Sequence, residues 1–109
     1  MELTNRIEIV GNVGMVRDDA VAQGGPIRFS LANNYAYVGK NNEAKVETLW
    51  INVSAFPGKG REIDKIAKGQ SVRVIGRLRM SKYSGTDGIE KTMYEIAANK
   101  LEAVDFYSE

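Results

Sequence analysis

The chain of 109 residues has no cysteine and no histidine. The missing cysteines exclude disulfides, a thiolate nucleophile and cysteine-based metal sites. The missing histidines remove the commonest metal ligand and the usual general base near neutral pH. The sequence also has no phosphate-loop motif, no Gly-x-Gly-x-x-Gly motif and no acidic cluster with metal-ligand spacing. We therefore predict a protein that is not an enzyme, with no catalytic residue, no bound metal and no cofactor.

Long hydrophobic runs are absent as well. No apolar stretch approaches the roughly 18 residues that a membrane-spanning helix needs, and the first residues lack the apolar core of a signal peptide. The length suits one hydrophobic core. We therefore expect a soluble, cytoplasmic protein whose residues 1–109 form a single domain.

The charge is unevenly distributed although the net charge is only +1. Residues 59–82 contain eight basic side chains and two acidic ones, so this segment alone carries +6. A local excess of this size favours binding to a polyanion, whereas a solvated basic surface is the alternative interpretation.

Five segments have the alternating pattern of β-strands, at residues 6–10, 27–33, 49–56, 71–80 and 91–98. The first strand runs into glycines that predict a bulge or sharp bend. Residues 60–69 predict a short helix with Ile63, Ile66 and Ala67 on one side and Gly69 at its end. The segment around residues 34–48 predicts a projecting β-hairpin with its tip at residues 39–42. This order favours an all-β fold, the five-stranded OB-fold Greek-key barrel, over another small barrel or an α+β sheet.

The third strand separates two faces. Leu49, Ile51, Val53 and Ala55 predict a complete core face, and Trp50, Asn52, Ser54 and Phe56 fall on the other side. Bases of a single strand can stack on exposed aromatic rings, and phosphates can follow a basic groove. The candidate stacking residues are Tyr37, Trp50, Phe56 and Tyr83, and the candidate phosphate-binding residues are Lys59, Lys68, Arg73, Arg77, Arg79 and Lys82. The alternative is that the aromatic rings only pack and that the arginines only form a solvated face.

Three segments carry a family resemblance: NRIEIVGNVG at residues 5–14, ETLWINVSAF at residues 47–56 and KGQSVRVIGRLR at residues 68–79. Over residues 5–104 the chain resembles the bacterial single-stranded DNA-binding proteins. The resemblance implies stacking at Trp50 and Phe56, and at Tyr37 and Tyr83, where many members have tryptophan. It also matches basic residues along the family's DNA path, namely Lys59, Lys68, Arg79 and Lys82. The resemblance implies binding of single-stranded DNA in replication, repair or recombination. It also implies a homotetramer around which the DNA is wrapped, and a dimer is the alternative.

The resemblance is incomplete at the end of the chain. Family members usually continue into a flexible segment rich in Gly, Pro and Gln and an acidic tip that recruits partners, and neither follows residue 104 here. We expect a short form without that tail, either truncated or a paralogue from a phage or mobile element, and no tail-mediated partner. Two other functions stay open. One is an interaction module of a primosome, and the other is a carboxylate nuclease using the scattered Asp18, Asp19, Asp64 and Asp87.

Overall fold

The computed structural model describes residues 3–62 and 66–104. They form five β-strands: β1 (Ile7–Arg17), β2 (Ile27–Val38), β3 (Ala44–Ala55), β4 (Ser71–Ser84) and β5 (Glu90–Ala103). Two short 3-10 turns, Val21–Gln23 and Lys40–Asn42, lie in the connections before β2 and before β3. Each of the five predicted strands is present, and all five are longer than the alternation indicated.

The strands close into one barrel in the order β1-β2-β3-β5-β4. Neighbouring strands are antiparallel except for β3 and β5, which pair in parallel through Asn52–Glu95, Val53–Ile96 and Ser54–Ala97. A closed five-stranded barrel leaves no open sheet edge along its wall. This arrangement is that of the OB-fold, so the predicted fold class is confirmed.

Two irregularities bend the strands around the barrel, and both lie at glycines. The pairing of β1 with β2 shifts between Val13 and Val16, where β1 takes one residue more than β2. The pairing of β4 with β5 shifts between Ile75 and Gly76. A Cβ atom on Gly76 would lie 2.2 Å from the carbonyl oxygen of Ala97, so only glycine fits there. The bulge expected from the glycines of the first strand is thus confirmed at Gly14 and Met15.

The core contains the inward-facing apolar side chains of all five strands, together with Ile66 from the connection before β4. Its fully buried members include Leu31, Val53, Val72, Val74 and Ile96. On the third strand Val53 and Ala55 are buried and Ile51 is half-buried, but Leu49 is 51% exposed. The predicted complete core face was therefore wrong at Leu49, because this residue lies where β3 has left the barrel.

Two hairpins extend beyond the barrel wall. Strands β2 and β3 pair without interruption from Ile27–Ala55 to Val38–Ala44, and their tip includes Asn41 and Asn42 with φ of 68° and 60°. This confirms the predicted projecting hairpin, which we call the β2–β3 ribbon. Strands β4 and β5 form a second hairpin that pairs as far as Ser84–Glu90.

The predicted helix at residues 60–69 is only partly covered by the structure. Residues 63–65, which include Ile63, lie outside the described residues. In the described parts the backbone forms turns and loop instead of a helix, with Gly60 and Gly69 at φ of 83° and 88°. Ile66 nevertheless contributes to the core, as its pattern predicted. Within the described ranges there is no helix with the length and apolar character needed to cross a membrane.

Candidate nucleic-acid interface

The barrel wall carries a continuous surface formed by side chains that point away from the core, which we call the outer face. The strand register places them in rows across neighbouring strands, spaced by roughly 4.8 Å per strand. One row contains Ser30, Asn52, Glu95 and Arg79, and the next contains Arg17, Arg28, Ser54, Ala97 and Arg77. Beyond the row of Asn52 and Arg79, Trp50 lies on β3 opposite Ala32, and Tyr83 lies on β4 opposite Lys91.

Trp50 is well placed to stack against a base. Its side chain is 61% exposed although it belongs to the barrel wall. The ring lies over Gly14, where a Cβ atom would be 2.9 Å from Cζ3 of the indole. Met15, Ser30 and Lys68 line the same shallow recess. The indole thus offers a supported ring beside a lysine, which suits a nucleobase and its phosphate.

Tyr83 borders a second recess that is continuous with the first, since Met15 and Ser30 line both. Its ring is 47% exposed. The other outer-face residues of this recess are Arg17, Arg28, Asn52, Ser81, Met93 and Glu95, with Lys82 at its border. The structure therefore joins Trp50 and Tyr83 through one groove that mixes aromatic, apolar and basic groups.

Phe56 and Tyr37 lie outside this groove. Phe56 follows the end of β3 and is 59% exposed, with its carbonyl oxygen accepting a 2.7 Å hydrogen bond from Nε of Arg61. Tyr37 lies on the β2–β3 ribbon and stacks against Tyr35, with 6.1 Å between the ring centroids. Because the ladder of β2 and β3 is uninterrupted, alternation places Tyr37 on the face of the ribbon opposite Trp50.

The predicted phosphate-binding residues fall into two groups. Lys59, Lys68 and Arg77 are exposed and form no ion pair within residues 3–62 and 66–104. Lys68 lies beside Trp50, and Arg77 lies on the outer face of β4. The other three contact carboxylates: Lys82 lies 3.7 Å from Glu90, Arg79 lies 3.5 Å from Glu95, and Arg73 contacts both Glu8 and Glu102.

Arg73 belongs to an ion-pair network away from the groove. Its Nε lies 3.7 Å from Glu8, and its Nη1 donates a 3.3 Å hydrogen bond to Glu102. Lys100 lies 2.8 Å from the other oxygen of Glu102. The pKa of Glu102 is lowered from 4.5, chiefly because Lys100 donates to and attracts the carboxylate; desolvation opposes this shift, and Arg73 adds smaller lowering effects. The structure thus gives Arg73 carboxylate partners that join β1, β4 and β5.

Several groove residues were absent from the sequence prediction, among them Met15, Arg17 and Arg28. Arg28 had a readable signal, because it stands between the core residues Ile27 and Phe29 and must therefore point outward. Met15 and Arg17 had none, since alternation from the buried Val13 would point both of them inward. The bulge at Gly14 and Met15 reverses that alternation.

The described residues contain no group of three or more acidic side chains placed to hold a metal ion. A family model for the single-strand binding protein family matches residues 4–104, which is most of the chain.

The chain belongs to the single-strand binding protein family.

Curated relatives agree with this membership. A single-stranded DNA-binding protein of Xanthomonas axonopodis pv. citri is 36% identical over 102 residues, covering 90% of this chain and 56% of that protein. One from Neisseria meningitidis serogroup A is 30% identical over 109 residues, covering 89% of this chain and 58% of that protein. The chain thus spans somewhat more than half the length of these relatives. The resemblance seen in the sequence is confirmed.

Solved structures of the family share the barrel. The single-strand binding protein of Plasmodium falciparum, in complex with single-stranded DNA, matches with a TM-score of 0.75 at 27% identity and covers 96% of this chain and 98% of that one. The small single-stranded DNA-binding protein of Streptomyces coelicolor matches with a TM-score of 0.68 at 26% identity, covering 94% and 96%.

Proposed function

We propose that this member of the single-strand binding protein family binds single-stranded DNA without sequence preference and protects it in replication, repair or recombination. One observation carries the proposal: Trp50 and Tyr83 are both exposed on a single groove lined with basic side chains. Any base can stack on an aromatic ring, so such a surface binds without reading sequence. The curated relatives named single-stranded DNA-binding proteins, and the Plasmodium structure in complex with single-stranded DNA, support the same ligand.

The proposed roles follow the geometry. Trp50 and Tyr83 provide the stacking rings of the groove, and Phe56 provides an exposed ring beyond the end of β3. Tyr37 contacts DNA only where a strand passes to the other face of the ribbon. Lys68 neutralises a phosphate next to Trp50, Arg77 does so on the outer face of β4, and Lys59 does so from the loop after β3. Lys82, Arg79 and Arg73 would first exchange a carboxylate partner for a phosphate.

We also propose that the protein acts as a binding protein without catalysis, in the cytoplasm. It forms a homotetramer of single-domain chains, and the DNA is wrapped around this tetramer. Family membership supports this assembly. The exposed apolar side chains of the β4–β5 hairpin, Leu78, Met80 and Tyr94, add apolar surface that a partner chain can cover.

The decisive experiment is a titration of tryptophan fluorescence with oligo(dT) at two salt concentrations. Trp50 is the sole tryptophan, so its emission reports directly on the groove. We expect saturable quenching and an affinity that falls as salt rises. In an assay with labelled DNA, Trp50→Ala should weaken binding by about 1–3 kcal/mol, the usual contribution of one stacked base. Tyr83→Ala should weaken binding in the same direction.

Tyr35→Ala is the matched control. Tyr35 is as exposed as Trp50, at 62%, but alternation places it on the face of the β2–β3 ribbon opposite Trp50. This variant should bind like the wild type. Circular dichroism must show that all variants are folded. If folded wild-type protein neither binds oligo(dT) nor shows quenching, the proposed function is wrong.

A further inference from the structure

Arg17 and Arg28 form an unusual pair on the outer face. They are direct cross-strand partners in the antiparallel ladder of β1 and β2, and both line the groove that contains Tyr83. Like charges directly opposite each other on a sheet repel and are destabilising. A cross-strand arginine pair on a binding face therefore requires an explanation.

A backbone irregularity creates this pair. Val13 is buried opposite Leu31, so regular alternation would direct Met15 and Arg17 into the core. The extra residue at Gly14 and Met15 turns Val16 inward instead, toward Phe29, and turns Arg17 outward beside Arg28. The backbone N–H of Met15 donates a 2.9 Å hydrogen bond to Oγ of Ser30, which holds the bulge against β2. Bulges commonly re-aim side chains next to functional sites.

Neither arginine has an acidic partner among residues 3–62 and 66–104. The Arg17 guanidinium donates a long hydrogen bond of 3.9 Å from Nη2 to Sδ of Met15. The acidic side chain of the same groove, Glu95, is paired with Arg79. By contrast, Arg73, Arg79 and Lys82 each contact a carboxylate. The charge of the Arg17–Arg28 pair is thus left uncompensated.

We propose that Arg17 and Arg28 together bind a backbone phosphate of single-stranded DNA, a subsite that rests on the proposed function. Guanidinium groups present several donors in a plane and suit phosphate oxygens, and a phosphate between them removes their repulsion. The subsite lies four residues along β2 from the row of Trp50, which is about 13 Å in a strand. A strand that stacks on Trp50 and continues along the groove past Asn52 passes over this pair.

The test compares R17Q/R28Q with the control R6Q/K100Q. The control also removes two positive charges, but from side chains outside the groove that pair with Glu8 and Glu102. Affinity for oligo(dT) is measured over a range of salt concentrations. The slope of log K against log[salt] is about −0.7 per neutralised phosphate of a single strand. We expect R17Q/R28Q to reduce the magnitude of the slope by about 0.7, and R6Q/K100Q to leave the slope unchanged. R17K/R28K should retain most of the wild-type slope.

A partly neutral ligand provides a second readout. Oligo(dT) with alternating methylphosphonate linkages should lose less affinity for R17Q/R28Q than for the wild type, because one phosphate contact is already missing. Removal of the repulsion should leave the melting temperature of R17Q/R28Q at or above that of the wild type. If the wild type binds and R17Q/R28Q has the wild-type slope, with or without a uniform loss of affinity, the proposed subsite is wrong. Absence of wild-type binding would instead overturn the proposed function.

Discussion

Gly14 shows how a single residue prepares the binding surface. Its missing side chain leaves room for the indole of Trp50 and for Oγ of Ser30, which would lie 2.9 Å and 2.6 Å from a Cβ atom. Both neighbours are side chains, so they can move where a backbone cannot. The glycine therefore sets the position of the stacking ring more than the stability of the barrel.

The variant Gly14→Ala tests this role. We expect the added methyl group to displace Trp50, shift its fluorescence emission and weaken binding to oligo(dT), with only a small loss of stability because both neighbouring side chains can move. The measurements are emission spectra, binding titrations and thermal melts. The same emission maximum and affinity as in the wild type would show that the position of the ring does not depend on Gly14.

Glu95 is the acidic residue of the groove and is only 3% exposed. Its carboxylate lies 3.5 Å from Nη1 of Arg79, so it both holds that guanidinium and places negative charge beneath the DNA path. We expect Glu95→Gln to free Arg79 for a phosphate and to raise the affinity for oligo(dT), with a slope against salt steeper by about 0.7.

The control for that prediction is Glu47→Gln, which removes a carboxylate from the face of the β2–β3 ribbon opposite Trp50 and breaks no ion pair among residues 3–62 and 66–104. We expect this variant to bind oligo(dT) with the wild-type affinity and slope. Weaker binding by a folded Glu95→Gln variant would show that the carboxylate positions Arg79 for DNA, instead of competing for it.

Alternation in the sequence was sufficient to predict which face Trp50 occupies, because β3 pairs with β2 without a break. It failed for Arg17, because one inserted residue reverses the pattern and glycines indicate only that a bulge is near. The six cations were predicted from their charge, from the outward face of the fourth strand and, for four of them, from the family resemblance. Whether a cation has a nearby carboxylate, as Arg73 has in Glu8 and Glu102, depends on pairing between strands far apart in sequence. The site residues themselves stay predictions until they are tested.

At the scale of the elements, the lengths of the strands explain why some side chains on the inward faces are exposed, among them Leu49 of the predicted core face. Leu49 on β3 and Leu78 and Met80 on β4 continue the inward alternation of their strands, yet they are 51%, 39% and 52% exposed. They lie where the two hairpins project past the barrel. A strand's periodicity shows which side chains share a face, but it does not show where the opposite wall of the barrel ends.

The network of Glu8, Arg73, Glu102 and Lys100 links β1, β4 and β5 across a part of the wall outside the groove. Since the pKa of Glu102 is lowered in the folded protein, its stabilising contribution is present above the unfolded-state value near 4.5. It is lost as pH falls through the lower folded-state value. The network is therefore an acid-sensitive connection between strands.

We expect Glu102→Gln to lower the melting temperature near neutral pH and to match the wild type increasingly well as pH falls below 4.5. Melting temperatures of both proteins, measured between about pH 3 and pH 7, test this sign. Because the pair is exposed, high salt should reduce the difference. A difference that persists unchanged at low pH would show that the glutamine acts through packing instead of charge.

At the scale of the whole molecule, the OB-fold follows from strand order and glycine positions, but assembly does not. Sequence patterns predicted the barrel because its five strands and their bends have local signals. The homotetramer stays a proposal that rests on the family and on the apolar side chains exposed on the β4–β5 hairpin. Its test requires a measurement on several chains at once.

Sedimentation and stoichiometry provide that test. We expect the protein to sediment as four chains of 12.0 kDa at micromolar concentration, with or without DNA. An OB-fold covers about 4–16 nucleotides, so an oligo(dT) of about 60 nucleotides should be long enough to contact all four barrels of one tetramer. Quenching of Trp50 should then saturate at four chains per strand, because the grooves fill together along one wrapped strand.

The control variant Trp50→Ala should keep the same mass, since the ring that it removes lies in the groove and not on the β4–β5 hairpin. A dimer mass would favour the smaller assembly, with saturation at two chains for a strand of half that length. A mass of one chain would mean that each barrel binds DNA alone and that the exposed hairpin surface remains uncovered.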